Sequence, residues 1–95
     1  MFIIELTYKV ELKRVDEYLE EHVNYLKEQY ENDMFIASGR KVPRTGGVIL
    51  SKTDDRKKLL EILEKDPFKI NDLANYNITE FIPSMTSKMF ENLKE

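Results

Sequence analysis

The sequence contains no cysteine, and only one of its 95 residues is a histidine. Without cysteine the chain has no disulfides, no thiolate metal ligands and no cysteine nucleophile. A single histidine also argues against a structural zinc site, so no metal is expected. Neither GxxxxGK[ST] nor GxGxxG occurs among the few glycines, and the sequence therefore predicts no phosphate-binding loop.

Long apolar runs are absent too. The first apolar stretch is interrupted by Glu5 and follows no basic segment, so neither a secretory signal nor a membrane span is expected. The chain is expected to be a cytoplasmic protein. Its net charge of −3, from 15 basic and 18 acidic residues, gives no reason to expect nucleic acid or an anionic membrane as a partner.

Hydrophobic periodicity predicts the order of secondary structure. Alternation typical of a strand covers residues 2–9, and a helical period covers Val15 to Tyr30. The further elements predicted are strands at 34–42, 47–51 and 75–82, helices at 53–65 and 67–74, and a short terminal helix within 86–95. Residues 1–83 are predicted to form one domain, and 84–95 a helical tail.

The order βαββαβ is that of a ferredoxin-like α+β fold, with a four-stranded antiparallel sheet and two helices on one face. Its second and third strands flank a turn in which Gly46 and Gly47 are expected to supply positive φ. RNA-binding RRM domains share this order but carry aromatic residues on the third strand. The segment from Gly47 to Ser51 has none, so RNA binding is not expected.

Two helices can cover only one face of the sheet, yet apolar side chains alternate onto both faces. Ile3 points to the face opposite that of Phe2 and Ile4. In the second strand, Phe35 and Ala37 point to the face opposite that of Met34 and Ile36. An uncovered face this apolar predicts a partner, most simply a second copy related by two-fold symmetry.

His22 lies in the middle of the apolar face of the first helix and has two interpretations. The pattern alone favours a histidine satisfied by a backbone carbonyl or water. The alternative is a general acid or base, which needs a partner to fix its tautomer. Asp66 is the best candidate for that partner, although an Asp before Pro67 is also typical of a helix N-cap.

Other candidates for a binding site follow the second strand. Ser38 and Gly39 are either a small pair where a strand bends or a floor able to hold an oxyanion. Arg40 is either part of a solvated rim or a group that holds an anionic substrate. Phe68 is more often a core residue than a pocket residue.

These residues resemble the YciI-like (YCII-related) family. The resemblance is carried by four short motifs in order: His22 with Tyr25-Leu26, Ser38-Gly39, Gly47-Val48-Ile49-Leu50, and Asp66-Pro67-Phe68. It covers about residues 1–83. The chain departs from the family where many members carry an Arg a turn before the histidine, since Tyr18 stands there, and in its shorter loop between strands two and three.

The resemblance implies a dimeric ferredoxin-like α+β barrel in which His22 and Asp66 form a catalytic dyad. Ser38, Gly39, Arg40 and Phe68 are then the expected substrate-binding residues. The implied chemistry is cofactor-independent proton transfer, elimination or isomerisation on a small oxygenated molecule. The alternative is a non-catalytic dimeric module that binds a small molecule or another protein.

Overall fold

The computed structural model describes all residues from Met1 to Glu95. Its strands are β1 (Phe2–Tyr8), β2 (Phe35–Arg40), β3 (Gly46–Ser51) and β4 (Ala74–Glu80). Its helices are α1 (Leu12–Asp16), α2 (Leu19–Glu31), α3 (Arg56–Leu63) and α4 (Pro67–Ile70), and a 3₁₀ helix follows at Lys88–Leu93. No helix has the length and apolar character needed to cross a membrane.

The four strands form one antiparallel sheet in the order β2-β3-β1-β4. The two longest pairings place β1 between β3 and β4, with Ile4 opposite Ile49 on one side and Ile78 on the other. This order, with helices between the strands, confirms the predicted ferredoxin-like α+β fold.

One face of the sheet carries the core. The alternation of β1 directs Phe2, Ile4 and Leu6 to this face, where each is at most 2% exposed. They pack with apolar side chains of the helices and loops, among them Val15, Leu59, Leu63, Phe68 and Leu73. The opposite face shows partly exposed apolar side chains.

The predicted helix from Val15 to Tyr30 is divided in two, so the prediction of one continuous helix was wrong. The backbone of Tyr18 leaves the helical region at φ −112° and ψ 5°, and its N–H donates to the carbonyl of Val15 in a tight turn. The break allows α1 to bury Val15 while α2 starts afresh at Leu19.

Gly46 does not supply the positive φ that was expected of it, because no glycine in the chain has a positive φ. The residue is needed for a different reason. A Cβ atom at Gly46 would lie 1.7 Å from the carbonyl oxygen of Leu6, whereas a Cβ at Gly39 would meet nothing within 4 Å. Gly46 therefore permits β3 to approach β1 closely at the end of their pairing, where Gly46 lies opposite Thr7.

Carboxylates cap two of the helices. Asp55 caps α3 by accepting from the Lys58 N–H. The cap of α4 is Asp66, which accepts from the Phe68 N–H, with Pro67 at the first helical position as expected.

The terminal segment forms a 3₁₀ helix without a buried residue. Met85 is 88% exposed and Met89 82% exposed. The segment is tied to the start of β1, because the Glu95 carboxylate pairs with the amino terminus of Met1 at 3.1 Å.

Candidate active site

The site is built around a carboxylate that no solvent reaches. Asp66 is 0% exposed and lies between α3 and α4. Its Oδ1 accepts from the Phe68 N–H at 3.0 Å and contacts the His22 Nδ1 at 2.7 Å. Its Oδ2 accepts from the Tyr76 hydroxyl at 2.5 Å. A buried carboxylate is costly without such partners, and here both oxygens are satisfied.

His22 is oriented from two directions. Its Nδ1 meets Asp66, so with the carboxylate ionised this nitrogen carries the proton. The imidazole also lies flat on the ring of Phe68, with 3.8 Å between centroids and 4° between planes. Phe68 is itself fixed by an edge-on contact with Tyr8. The ring of His22 is therefore held in one orientation.

The second ring nitrogen of His22 is free. Nε2 makes no hydrogen bond within the chain, and Thr86 Oγ1 is the only fully buried side-chain polar atom without a partner. Nε2 is therefore not sealed in the core, and His22 lines an open cleft. A neutral imidazole protonated at Nδ1 presents an unprotonated Nε2 to whatever occupies that cleft.

The cleft has a volume of about 470 Å³ and lies between α2 and the helix-side face of β1, β2 and β3. This volume is in the range typical of small-molecule sites. Apolar side chains and a few polar groups line it: Leu6, Tyr8, Leu19, His22, Val23, Leu26, Ser38, Gly39, Arg40, Arg44, Gly47, Val48, Ile49 and Phe68.

The apolar face of α2 is divided between core and cleft. The buried residues of α2 are His22, Tyr25 and Gln29, and of these His22 also lines the cleft. Leu19 and Val23, which the helical period groups with His22, remain 38% and 37% exposed because they line the cleft. The apolar face of α2 is thus in part the wall of a pocket.

The predicted binding residues on β2 meet His22 at this cleft. Ser38 and Gly39 both line it, and the Ser38 hydroxyl is hydrogen-bonded to the hydroxyl of Tyr30. Tyr30 projects from α2, so this bond ties the helix wall of the cleft to its strand wall. The sequence analysis gave Tyr30 only as the end of the predicted first helix and missed this contact.

Two guanidinium groups lie at the cleft. Arg44 is engaged by Asp16 at 2.5 Å, which anchors the loop between β2 and β3 to the end of α1. Arg40 is exposed, lines the cleft and forms no ion pair with any acidic side chain. Its charge is available to a ligand.

Tyr76 was missed by the sequence analysis. It lies opposite Leu6 in the register of β1 and β4, which places it on the helix-side face. Burial first, and then the negative charge of Asp66, raise the pKa of Tyr76 far above its usual value. The hydroxyl therefore stays protonated and donates to Asp66.

All six candidate site residues thus come together, but their positions differ. His22, Ser38, Gly39, Arg40 and Phe68 line the cleft, whereas Asp66 lies behind His22. Phe68 is only 1% exposed, and His22 covers one face of its ring. No group of three or more His, Asp or Glu side chains is arranged to hold a metal ion.

The family model of the YCII-related domain matches residues 1–82. The chain belongs to the YCII-related family. No curated protein matches this YCII-related chain. Its division into a domain of 1–83 and a tail stays a prediction.

A solved structure with a similar fold is 5-chloro-2-hydroxyhydroquinone dehydrochlorinase (TftG) from Burkholderia phenoliruptrix AC1100, in complex with 2,5-dihydroxybenzoquinone. The TM-score is 0.75 at 15% sequence identity, and the match covers 86% of this YCII-related chain and 93% of the other. At this identity the likeness establishes a shared fold.

Proposed function

We propose that this chain is an enzyme that catalyses proton transfer, leading to elimination or isomerisation, on a small oxygenated molecule. The observation that carries the proposal is the pair of His22 and buried Asp66, joined at 2.7 Å behind an open cleft. A histidine held by a carboxylate through Nδ1, with Nε2 facing a pocket, is the arrangement of a general base.

In the reaction, the His22 Nε2 removes a proton from a carbon or hydroxyl of the substrate. The electron pair released forms a new double bond, and a leaving group departs or a proton returns at another position. Asp66 stabilises the imidazolium that forms and does not itself take the proton. The buried network needs no rearrangement when this charge appears, because both carboxylate oxygens already have their partners.

The substrate is expected to be small, partly apolar and anionic in the transition state. Ser38, held by Tyr30, offers a hydroxyl to a developing oxyanion. Arg40 attracts negative charge at the same cleft. Phe68 fixes the imidazole of His22 by stacking on it. Because Phe68 is only 1% exposed, its own contact with a ligand is limited.

The neighbour in fold supplies probes for this proposal. TftG is a dehydrochlorinase whose ligand is a dihydroxybenzoquinone. A small hydroxylated ring that loses a proton and a leaving group fits the volume and polarity of the cleft in this chain. Ring compounds of this class are therefore the first substrates to offer.

The test offers the protein 5-chloro-2-hydroxyhydroquinone and a panel of small cyclic enols and ketones in D₂O. Chloride release and the exchange of carbon-bound hydrogen for deuterium are followed together, so that proton transfer is detected even when no leaving group departs. Exchange or release above the buffer rate supports an enzyme. Binding of 2,5-dihydroxybenzoquinone without exchange or release of any compound supports the rival, a non-catalytic binding module.

The open face of the sheet is proposed to hold a second copy of the chain. Leu50 lies opposite Ile3 on one side and Ala37 on the other, in the middle of this face. None of these three side chains belongs to the buried core cluster. Apolar residues side by side on three neighbouring strands fit a self-complementary, two-fold interface.

Replacing Leu50 with Glu is expected to convert the dimer into a monomer, because it places one charge from each subunit in the apolar interface. Light scattering after gel filtration measures the mass, which should fall to half. Leu60→Glu is the matched control, since Leu60 lies on α3 away from the open face and is 43% exposed. A wild-type protein with the mass of one chain contradicts the dimer.

A further inference from the structure

The Asp66 carboxylate is shared by two side-chain donors on opposite oxygens. The Tyr76 hydroxyl donates to Oδ2 at 2.5 Å, and the His22 Nδ1 meets Oδ1 at 2.7 Å. The carboxylate is 0% exposed, so bulk water does not compete with these two donors for its oxygens. The remaining donor, the Phe68 N–H, belongs to the backbone and is fixed.

We propose that Tyr76 is a positioning residue that tunes His22 through Asp66. The inference rests on the proposed role of His22 as the base. Both donors bind the same negatively charged carboxylate. A stronger hydrogen bond from the Tyr76 hydroxyl therefore weakens the hydrogen bond between Asp66 and the His22 Nδ1 proton. Such outer partners commonly set the orientation and basicity of an imidazole.

Tyr76 also fixes the plane of the carboxylate. Oδ2 is held from β4, while Oδ1 is held by the backbone at the start of α4. With both oxygens anchored on different elements, the carboxylate cannot rotate away from His22. The Tyr76 ring is itself covered by the Lys69 ammonium, 4.9 Å from its centroid.

The test is the NMR resonance of the His22 Nδ1 proton, which is unambiguous because the chain has one histidine. In Tyr76→Phe, His22 becomes the only side-chain donor to Asp66, so its bond shortens and the resonance moves downfield. With 3,5-difluorotyrosine at position 76, the more acidic hydroxyl takes a larger share and the resonance moves upfield. This second variant retains the hydrogen bond and keeps the test valid if Tyr76→Phe does not fold.

Tyr25→Phe is the control. It removes a hydroxyl from a buried tyrosine that donates to the Ile62 carbonyl and not to Asp66. We expect it to leave the resonance in place. The proposal is overturned if the resonance does not move in either variant at position 76, or if it moves equally in Tyr25→Phe. The readout requires no turnover, so a shift without any detected catalysis upholds the coupling and counts only against the proposed function.

Discussion

Replacing Asp66 with Ala is expected to lower the free energy of unfolding by about 3–5 kcal/mol, the cost typical of removing one partner from a buried charged network. The substitution leaves the His22 Nδ1, the Phe68 N–H and the Tyr76 hydroxyl without their acceptor. Each unpaired buried donor is destabilising by itself, and the side chain they surround is 0% exposed. Urea denaturation at a fixed protein concentration measures the change.

Asp55→Ala is the matched control, because it measures the stability lost when a helix cap alone is removed. Asp55 caps α3 as Asp66 caps α4, but Asp55 is exposed and its carboxylate receives only the Lys58 N–H. Loss of such a cap typically costs about 1 kcal/mol. The difference between the two variants is then the contribution of His22 and Tyr76. Equal losses would show that Asp66 acts only as a cap, and would contradict the network.

Replacing His22 with Asn is expected to reduce turnover by about 10²–10⁴-fold, the usual contribution of a general base. The amide of Asn can occupy the position of Nδ1 and still donate to Asp66, so the network behind the cleft is largely preserved. The nitrogen facing the cleft is lost. The rate is measured on any compound of the panel that the wild-type protein converts, at saturating concentration.

Two controls make this loss interpretable. Lys27→Asn introduces the same residue at an exposed position of α2 and should leave the rate unchanged. Binding of 2,5-dihydroxybenzoquinone should persist in His22→Asn, since the apolar walls and Arg40 remain. A variant that binds the ligand and retains the wild-type rate would remove His22 from the mechanism.

The order of strands and helices followed from local patterns. The alternation from Phe2 to Tyr8 and the Asp66-Pro67 cap are decided by short-range stereochemistry, and both are present in the structure. The resemblance placed His22 beside Asp66, and the two are joined across 44 residues of sequence. Their contact depends on how α2 packs against the start of α4, which periodicity does not specify.

The missed features all depend on tertiary structure. An apolar stripe on α2 does not reveal that Leu19 and Val23 border a cleft rather than the core. Tyr30 and Tyr76 look like ordinary amphipathic positions until the fold brings Ser38 to one and Asp66 to the other. The interruption at Tyr18 is similar, since nothing local breaks the helical period there.

The tautomer of His22 tests the proposed mechanism most directly, and it is read from the ¹⁵N shifts and couplings of the imidazole in solution alkaline enough to keep the ring neutral. Asp66 is proposed to hold the proton on Nδ1 and to leave Nε2 as a base facing the cleft. We expect the Nδ1–H tautomer in the wild-type protein and a loss of that preference in Asp66→Asn. A wild-type ring protonated at Nε2, or a preference that does not change in Asp66→Asn, would overturn this role of Asp66.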